Sequence, residues 1–144
     1  MTTTATATDL RTTREITVRT HIDAECRHDV PATLATFTDP NYDVVPLGAT
    51  SDGAAAVDEL LRGLFAAFPD FHADPLALHH GEDIVFVEVR MTGTHRGPWA
   101  GVPATGRPID LRCGCVFHFH DEYLVKETVY FDHATLLAQI GIGT

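Results

Sequence analysis

A loop rich in glycine and proline near the C-terminus, followed by two strand-like runs, decides how this chain folds. The loop comprises residues 93–107 (GTHRGPWAGVPATGR), and the runs are residues 109–120 (IDLRCGCVFHFH) and 124–131 (LVKETVYF). Glycine and proline mark the loop, whereas apolar residues in alternation are typical of strands. A tight turn at residues 121–122 joins the two runs. The sequence therefore predicts a β-hairpin that brings histidines and a carboxylate toward one region.

Helices come before most of the strands in the rest of the chain. Residues 9–28 and a short segment beginning at Pro31 predict two helices, and residues 54–68 carry apolar side chains at the spacing of an amphipathic helix. Strands are predicted at residues 42–47, 71–80 and 84–94, a turn or helix N-cap at residues 51–53, and a last helix at residues 134–140. This order predicts an α+β fold, in which a curved antiparallel sheet packs over helices and leaves a pocket in its concavity. We expect residues 1–8 to be a disordered tail and residues 9–144 to form a single domain.

The composition excludes several classes of protein. The chain has 144 residues and a formal net charge of -10, which argues against binding to nucleic acid because phosphate recognition needs a basic face. No apolar run is long enough to span a membrane. Three cysteines without an export signal predict reduced thiols and a cytoplasmic location. Cys113 and Cys115 are interpreted as small core residues.

Three stretches together resemble the SnoaL-like polyketide cyclases. They are the loop at residues 93–107, the FPDF sequence at residues 68–71, and the closing YFDHATLLAQIG at residues 130–141. The resemblance covers roughly residues 15–141. It implies the cone-shaped α+β fold of nuclear-transport-factor-2-like and ketosteroid-isomerase-like proteins, and it implies a homodimer.

The resemblance also implies a catalytic pair. The family's acid/base carboxylate corresponds to Asp132, and a histidine fourteen positions earlier corresponds to His118; Val116 stands where the family has a glutamine. A carboxylate in an apolar pocket has a raised pKa and can remove a proton alpha to a carbonyl, while His118 could stabilise the enolate. The alternative role for Asp132 is N-cap of the last helix.

The register of the hairpin decides whether this pair can meet. With a two-residue turn, Asp132 falls on the strand face of the cysteines and phenylalanines. With a three-residue turn or a β-bulge, it falls on the face of His118, opposite Arg112. The catalytic interpretation requires the second arrangement.

Other residues are candidates for substrate binding, and each has a structural alternative. Arg112 binds a ligand carboxylate or ester, or pairs with Asp132; Trp99 stacks on a flat ligand or anchors the loop. His95 lines the pocket mouth or holds the loop by hydrogen bonds. Val116, Phe71 and Tyr130 complete the predicted substrate-binding set. His118 and His120 share a strand face, and Glu127 or His133 is the candidate third ligand of a metal site there. Two histidines without a fixed third ligand are a weak signal, and we expect neither a metal nor a cofactor.

These observations lead to a functional hypothesis. The chain is expected to be a cofactor-independent cyclase that closes a ring by intramolecular aldol reaction on a small hydrophobic, aromatic or polyketide-like substrate. The alternatives are a hydrolase or isomerase of the same fold, a cofactor-free hydroxylase, and a non-catalytic ligand-binding dimer. The convex face of the sheet, with the row of Cys and Phe side chains, is the expected dimer interface.

Overall fold

The computed structural model describes residues 6–143, which form four α-helices and one curved, unclosed six-stranded sheet. The helices are α1 (Ala7–Cys26), α2 (Val30–Leu34), α3 (Ala54–Ala67) and α4 (His133–Gln139). The strands are β1 (Asn41–Val44), β2 (Ala49–Asp52), β3 (His72–His80), β4 (Ile84–Thr94), β5 (Pro108–His120) and β6 (Tyr123–Tyr130). Their order in the sheet is β2-β1-β6-β5-β4-β3. The predicted α+β class is confirmed. No helix in this part of the chain has the length and apolar character needed to cross a membrane.

The sheet has an inner face that packs against the helices and an outer face that they leave uncovered. On β5 the inner, buried residues are Leu111, Cys113, Cys115, Phe117 and Phe119, and the outer ones are Arg112, Gly114, Val116, His118 and His120. The Phe117 ring lies edge-on to the ring of His21 in α1, with 5.3 Å between centroids. The expectation that the Cys and Phe row lies on the convex face as a dimer interface is therefore wrong, because α1 covers that row.

A β-bulge in the hairpin sets which side chains of β6 face inward. The turn has two residues, since His120 pairs with Tyr123, but the register shifts between Phe119–Leu124 and His118–Lys126. The extra residue is Val125, and a bulge of this kind reverses the alternation beyond it. As a result Leu124, Glu127 and Val129 are all buried on the inner face.

The long helix α1 buries a face that carries charged and polar side chains. Arg14, Val18, His21, Ile22 and Glu25 are buried, whereas Ile16 is 61% exposed. The guanidinium of Arg14 donates to the carbonyls of Glu82 and Asp121 at 2.8 and 2.9 Å, which ties α1 to two turns of the sheet. Tertiary contacts thus support a helix that has little apolar periodicity of its own.

Two local predictions need correction. The side chain of Thr6 caps α1 by accepting from the Asp9 amide at 3.2 Å, and residues 7 and 8 are helical. The disorder predicted for residues 1–8 is therefore wrong for residues 6–8. Residues 1–5 lie outside the described residues. The turn predicted at residues 51–53 is instead the end of β2, and Gly53, not Ser51, is the N-cap of α3. β2 is polar and lies at the sheet edge, so it lacks the alternation by which strands are recognised.

The loop after β4 docks on the C-terminal end of α3. The amides of Arg96 and Gly97 donate to the Ala67 carbonyl at 2.9 and 3.2 Å. A Cβ atom added to Gly97 would lie 2.2 Å from the Ala66 carbonyl oxygen, which is backbone and has little freedom to move. This close approach explains why the loop carries glycine at this position.

We expect Gly97→Ala to lower the free energy of unfolding by about 1–3 kcal/mol, as overpacking against fixed neighbours does. The matched control is Gly63→Ala in α3, where an added Cβ meets nothing within 4 Å. Removing a helical glycine there should raise stability by about 0.5–1 kcal/mol. Urea denaturation of both variants checks the pair, and equal stability of Gly97→Ala and the parent would contradict the docking argument.

Candidate active site

An apolar cavity of about 100 Å³ lies between α3 and the inner face of the sheet. Its apolar walls are Val44, Leu47, Leu60, Leu61, Leu64, Phe71, Met91, Trp99, Val129 and Phe131, and its polar lining residues are Glu25, Tyr42 and Glu127. The three polar residues touch one another through a shared hydrogen-bond network, so the cavity has one polar patch in an otherwise apolar surface. This combination is typical of small-molecule sites.

The polar patch belongs to a cluster of four side chains, His21, Glu25, Tyr42 and Glu127, called here the buried cluster. The Nε2 atom of His21 lies 3.0 Å from Glu25 Oε1, 3.1 Å from Glu127 Oε2 and 2.7 Å from the Tyr42 hydroxyl. The Tyr42 hydroxyl also donates to Glu25 Oε1. His21 is fully buried and the other three are at most 6% exposed.

Local structure explains how these residues meet. His21 and Glu25 are four residues apart on α1 and therefore lie on one helix face. Tyr42 and Glu127 are direct partners in the parallel pairing of β1 and β6. The bulge at Val125 turns Glu127 inward, so the helix and the two strands converge on a single point.

Hydrogen bonds on the far side of the imidazole fix the position of its protons. The Thr36 hydroxyl donates to the Thr33 carbonyl at 2.7 Å, so its oxygen accepts from His21 Nδ1 at 2.8 Å. His21 Nδ1 is therefore the protonated nitrogen on that side. Because the Tyr42 hydroxyl directs its own proton to Glu25, a second imidazole proton, on Nε2, bridges the carboxylates of Glu25 and Glu127. This arrangement favours the imidazolium form of His21.

The pKa values of the cluster follow from its burial and charges. Burial alone lowers the pKa of His21, but the carboxylates of Glu25 and Glu127 outweigh it and raise the pKa from 6.5 to about 10. Burial raises the pKa of Glu127, as does the neighbouring Glu25, against the opposing effect of His21. Burial followed by the same two carboxylates raises the pKa of Tyr42, which stays a neutral hydroxyl. A carboxylate with a raised pKa beside a fixed donor is the arrangement that proton transfer at carbon requires.

The cluster also contains the one set of three potential metal ligands found in the described residues. The ligand atoms of His21, Glu25 and Glu127 lie within 4.8 Å of one another. The Tyr42 hydroxyl is hydrogen-bonded between two of them, so an ion bound there would have to displace it and the bridging proton. The geometry fits a hydrogen-bond network, and absence of a metal or cofactor stays a prediction.

Asp132 and His118, the predicted catalytic pair, lie outside this cavity. Asp132 is exposed and caps α4, accepting from the amides of Ala134 and Thr135 and from the Thr135 hydroxyl. These bonds, the hydroxyl first, lower its pKa, whereas the catalytic interpretation required a raised one. His118 lies on the outer face and bonds the Thr128 hydroxyl at 2.9 Å. The bulge at Val125 places Asp132 on the same sheet face as His118, as the catalytic interpretation required. That face is the outer one, which is turned away from the cavity.

The predicted substrate-binding residues divide between the two faces. Trp99 and Phe71 line the cavity, and Trp99 packs on Phe68 with 5.5 Å between ring centroids. Arg112, Val116 and Tyr130 are on the outer face, with Arg112 opposite Arg90. His95 is fully buried and holds the loop, since its Nδ1 contacts the Thr105 hydroxyl at 2.9 Å and accepts from the Thr105 amide. The placement of these four side chains favours structural or surface roles.

Sequence reasoning missed the buried cluster, although two signals were available. Glu127 interrupts the apolar alternation of Val125, Val129 and Phe131, and a charged residue in such a row indicates a buried, partnered group. His21 and Glu25 occupy the same helix face as Val18 and Ile22. Neither signal identifies the partner, because the cluster joins segments about 100 positions apart, as the separation of 106 between His21 and Glu127 shows.

We expect His21→Gln to destabilise the protein by about 3–5 kcal/mol, because it removes the buried cation that compensates two carboxylates. The matched control is His79→Gln, which alters an exposed imidazole 3.3 Å from Glu88 and should change stability by less than about 0.5 kcal/mol. Chemical denaturation at neutral pH measures both. A loss in His21→Gln no larger than that of the control would show that His21 carries no such charge.

Stability should also fall as the pH is raised above 6.5, since the folded-state pKa of His21, about 10, exceeds its unfolded value. The stabilisation that protonated His21 provides is complete below pH 6.5 and is lost progressively up to pH 10. Over that range the free energy of unfolding falls by at most about 1.4 kcal/mol per pH unit. The pKa of Glu127 is also raised in the folded state, so its ionisation lowers the stability as the pH rises, beginning at a lower pH than the deprotonation of His21. Unfolding free energies measured across this range for the parent and His21→Gln should converge at alkaline pH, and parallel curves would contradict the assignment.

Comparison with known proteins finds one matching family and several solved structures with the same fold. The family model for SnoaL-like polyketide cyclase matches residues 15–140. A candidate SnoaL-like polyketide cyclase from Jannaschia sp. CCS1 superposes with a TM-score of 0.82 at 19% identity, covering 99% of this chain and 100% of that one. AclR from Streptomyces galilaeus, a candidate hydroxylase, gives 0.75 at 23% identity, with 89% and 80% covered. A ketosteroid isomerase-like protein from Catenulispora acidiphila DSM 44928, solved with trimethylamine, gives 0.76 at 19% identity, with 88% and 93% covered.

At these identities the structural matches show the fold alone, and no curated protein matches the chain. The family match rests on sequence and spans nearly all of the described residues. It includes α1, β1 and β6, the elements that carry the buried cluster. The chain belongs to the SnoaL-like polyketide cyclase family.

Proposed function

We propose that this protein is a cofactor-independent acid/base enzyme that removes a proton alpha to a carbonyl, with Glu127 as the base, and closes a ring by intramolecular aldol reaction. The observation that carries the proposal is a carboxylate with a raised pKa on the wall of an apolar cavity, held by a buried imidazolium. Family membership supports the cyclase reaction in particular. In this proposal the catalytic roles pass from Asp132 and His118 to the buried cluster.

The first step is proton transfer from substrate carbon to Glu127. The electron pair of the broken C–H bond moves into the adjacent carbonyl, which becomes an enolate. Burial raises the pKa of Glu127 and makes it a stronger base, and the hydrogen bond from His21 keeps the carboxylate in place while its charge changes. The apolar walls exclude water, which strengthens each electrostatic interaction in the site.

Tyr42 is the group best placed to stabilise the enolate oxygen. It is a neutral donor at the cavity surface, and its proton can turn from Glu25 to the substrate, while the carboxylate it leaves retains the bond to His21. A preorganised donor at a developing oxyanion commonly contributes a factor of about 10²–10³ in rate.

Ring closure completes the cycle without any redox change. The enolate carbon attacks a second carbonyl carbon of the same molecule, and the new alkoxide takes the proton that Glu127 carries. The free carboxylate is thereby regenerated. No oxidant, metal or organic cofactor enters the balance.

The experiment follows exchange of alpha protons of acetophenone in deuterated water by proton NMR, together with closure of an open-chain diketone able to form a six-membered ring. We expect Glu127→Gln to lose about 10²–10⁴-fold in both rates and Tyr42→Phe to lose about 10²-fold. The matched control is Glu59→Gln, which neutralises an exposed carboxylate on α3 and should leave the rates unchanged.

Two outcomes would overturn the proposal. Exchange that survives in Glu127→Gln would remove the base, and absence of exchange in the parent protein would remove the carbon-acid reaction. Oxygen consumption accompanying turnover would instead favour a hydroxylase, the activity suggested for AclR. Ligand binding without any turnover would favour a binding protein.

The homodimer and the cytoplasmic location are also proposals. With the Cys and Phe row buried, a dimer contact would use the outer face, where Tyr123 and Tyr130 are about half exposed. Sedimentation equilibrium of Tyr130→Lys beside the parent protein measures whether that face joins two copies.

A further inference from the structure

Thr36 contacts the nitrogen of the His21 imidazole that the carboxylates leave free. The Thr36 hydroxyl oxygen lies 2.8 Å from His21 Nδ1, whereas Nε2 contacts Glu25 and Glu127. Within the described part of the chain, Thr36 is the one hydrogen-bond partner of Nδ1. Because His21 is fully buried, solvent does not substitute for this partner. The protonation of Nδ1 therefore depends on a single hydroxyl.

The turn that follows α2 commits the proton of this hydroxyl to the backbone. The hydroxyl and the amide of Thr36 both donate to the Thr33 carbonyl, at 2.7 and 3.2 Å. Thr33 is itself fixed, since it is fully buried and its hydroxyl and amide donate to the Asp29 carbonyl at 2.9 and 3.0 Å. A hydroxyl has one proton to donate. With that proton on the Thr33 carbonyl, the Thr36 oxygen can only accept from the imidazole.

The Thr36 side of the imidazole is what separates the two forms that donate from Nε2. The imidazolium donates from both nitrogens, whereas the neutral form with its proton on Nε2 presents a lone pair at Nδ1. Both forms make the same hydrogen bonds to Glu25 and Glu127. Only in the neutral form does a lone pair of His21 face the lone pair of the Thr36 oxygen. Thr36 therefore opposes loss of the Nδ1 proton.

The charge on His21 decides whether Glu127 is ionised. Two neighbouring carboxylates resist simultaneous ionisation when no cation lies between them. Burial and the adjacent Glu25 raise the pKa of Glu127, so it is the carboxylate that takes up a proton when His21 becomes neutral. Tyr42 and Cys115, the other titratable groups that contact Glu127, have pKa values raised by burial and stay uncharged. A protonated Glu127 cannot remove a proton from carbon.

We propose that Thr36 is a positioning residue for the reaction: it accepts from His21 Nδ1 without being able to donate to it, and so keeps the imidazole doubly protonated and Glu127 ionised. Thr36 does not line the cavity and acts only through His21. The inference rests on the proposed function in taking Glu127 as the base.

Nitrogen-15 NMR of the imidazoles and infrared spectroscopy of the carboxyl groups test the inference on the full chain. In the parent protein both nitrogens of His21 should be protonated at neutral pH. Thr36→Val keeps the shape of the side chain and removes the acceptor, so protonation of Nδ1 should weaken about 10- to 100-fold, the worth of a hydrogen bond from a charged donor. An infrared band of a neutral carboxyl should appear in this variant, and adding Glu127→Gln should remove it.

The rate of alpha-proton exchange with acetophenone supplies the functional measurement. We expect Thr36→Val to lose at least about tenfold at neutral pH, whereas Thr36→Ser retains the hydroxyl and should keep both the parent spectrum and the parent rate. The matched control is Thr38→Val, which removes a hydroxyl that donates to the Leu124 carbonyl at 3.2 Å. It should leave the nitrogen spectrum and the rate unchanged. If Thr36→Val does not fold, the parent and Thr36→Ser spectra still decide, because both must show a proton on Nδ1.

Any of three results would overturn the inference: an unprotonated Nδ1 in the parent protein, a nitrogen spectrum of Thr36→Val identical to that of the parent, or full exchange activity in Thr36→Val after Nδ1 has lost its proton. Failure of the proposed function alone has a different signature. In that case the parent protein exchanges no alpha proton, although the nitrogen and carboxyl signals still follow Thr36 as described.

Discussion

The proton that His21 shares between Glu25 and Glu127 is the interaction on which the interior of this protein depends. Two carboxylates and an imidazole lie in a core that is otherwise aromatic and aliphatic, with the rings of Phe37 and Phe117 each 5.3 Å from that of His21. Burying charges costs more than their attraction usually returns, and an apolar core of the same volume would often be as stable. Stability alone therefore does not explain the cluster, and hydrogen bonds with Thr36 and Tyr42 offset part of the cost of its burial.

The architecture around the cluster can be understood as the means of bringing distant segments to one point. The parallel β1–β6 pair places Tyr42 beside Glu127, although every other pair of neighbouring strands in the described sheet is antiparallel. The inserted Val125 then turns Glu127 toward the helices without moving the hairpin turn. A shift of one residue in the β5–β6 register would send that carboxylate to the outer face, and a shift in the β1–β6 register would do the same to Tyr42. Register, more than any single contact, determines whether the site exists.

These facts explain how much the sequence could reveal. The amphipathic pattern of α3 and the alternation of β4 depend on burial along one element, and both elements were predicted with bounds within one residue of those observed. β2 was missed because it is polar and pairs at an edge, and the start of α1 was missed because its capping box at Thr6 was not recognised. The α+β class follows from the order of elements. The buried cluster depends on the pairing partner of β6 and on a bulge, and neither leaves a periodic signal in one segment.

The difference between the predicted catalytic pair and the residues that line the cavity has the same origin. The resemblance implies a histidine and a carboxylate fourteen positions apart, and His118 and Asp132 match that spacing on the outer side of the sheet. Cys113 and Glu127 have the same spacing on the inner side, where Glu127 meets the cavity. Matching residue types favoured the first pair, whereas the bulge in β6 decides which of the two carboxylates faces inward. A reaction at carbon needs a base that is desolvated and fixed, and the exposed Asp132 is neither, because α4 and Thr135 already engage its oxygens. The side of the sheet that a carboxylate occupies is therefore stronger evidence for its role than its place in a sequence motif.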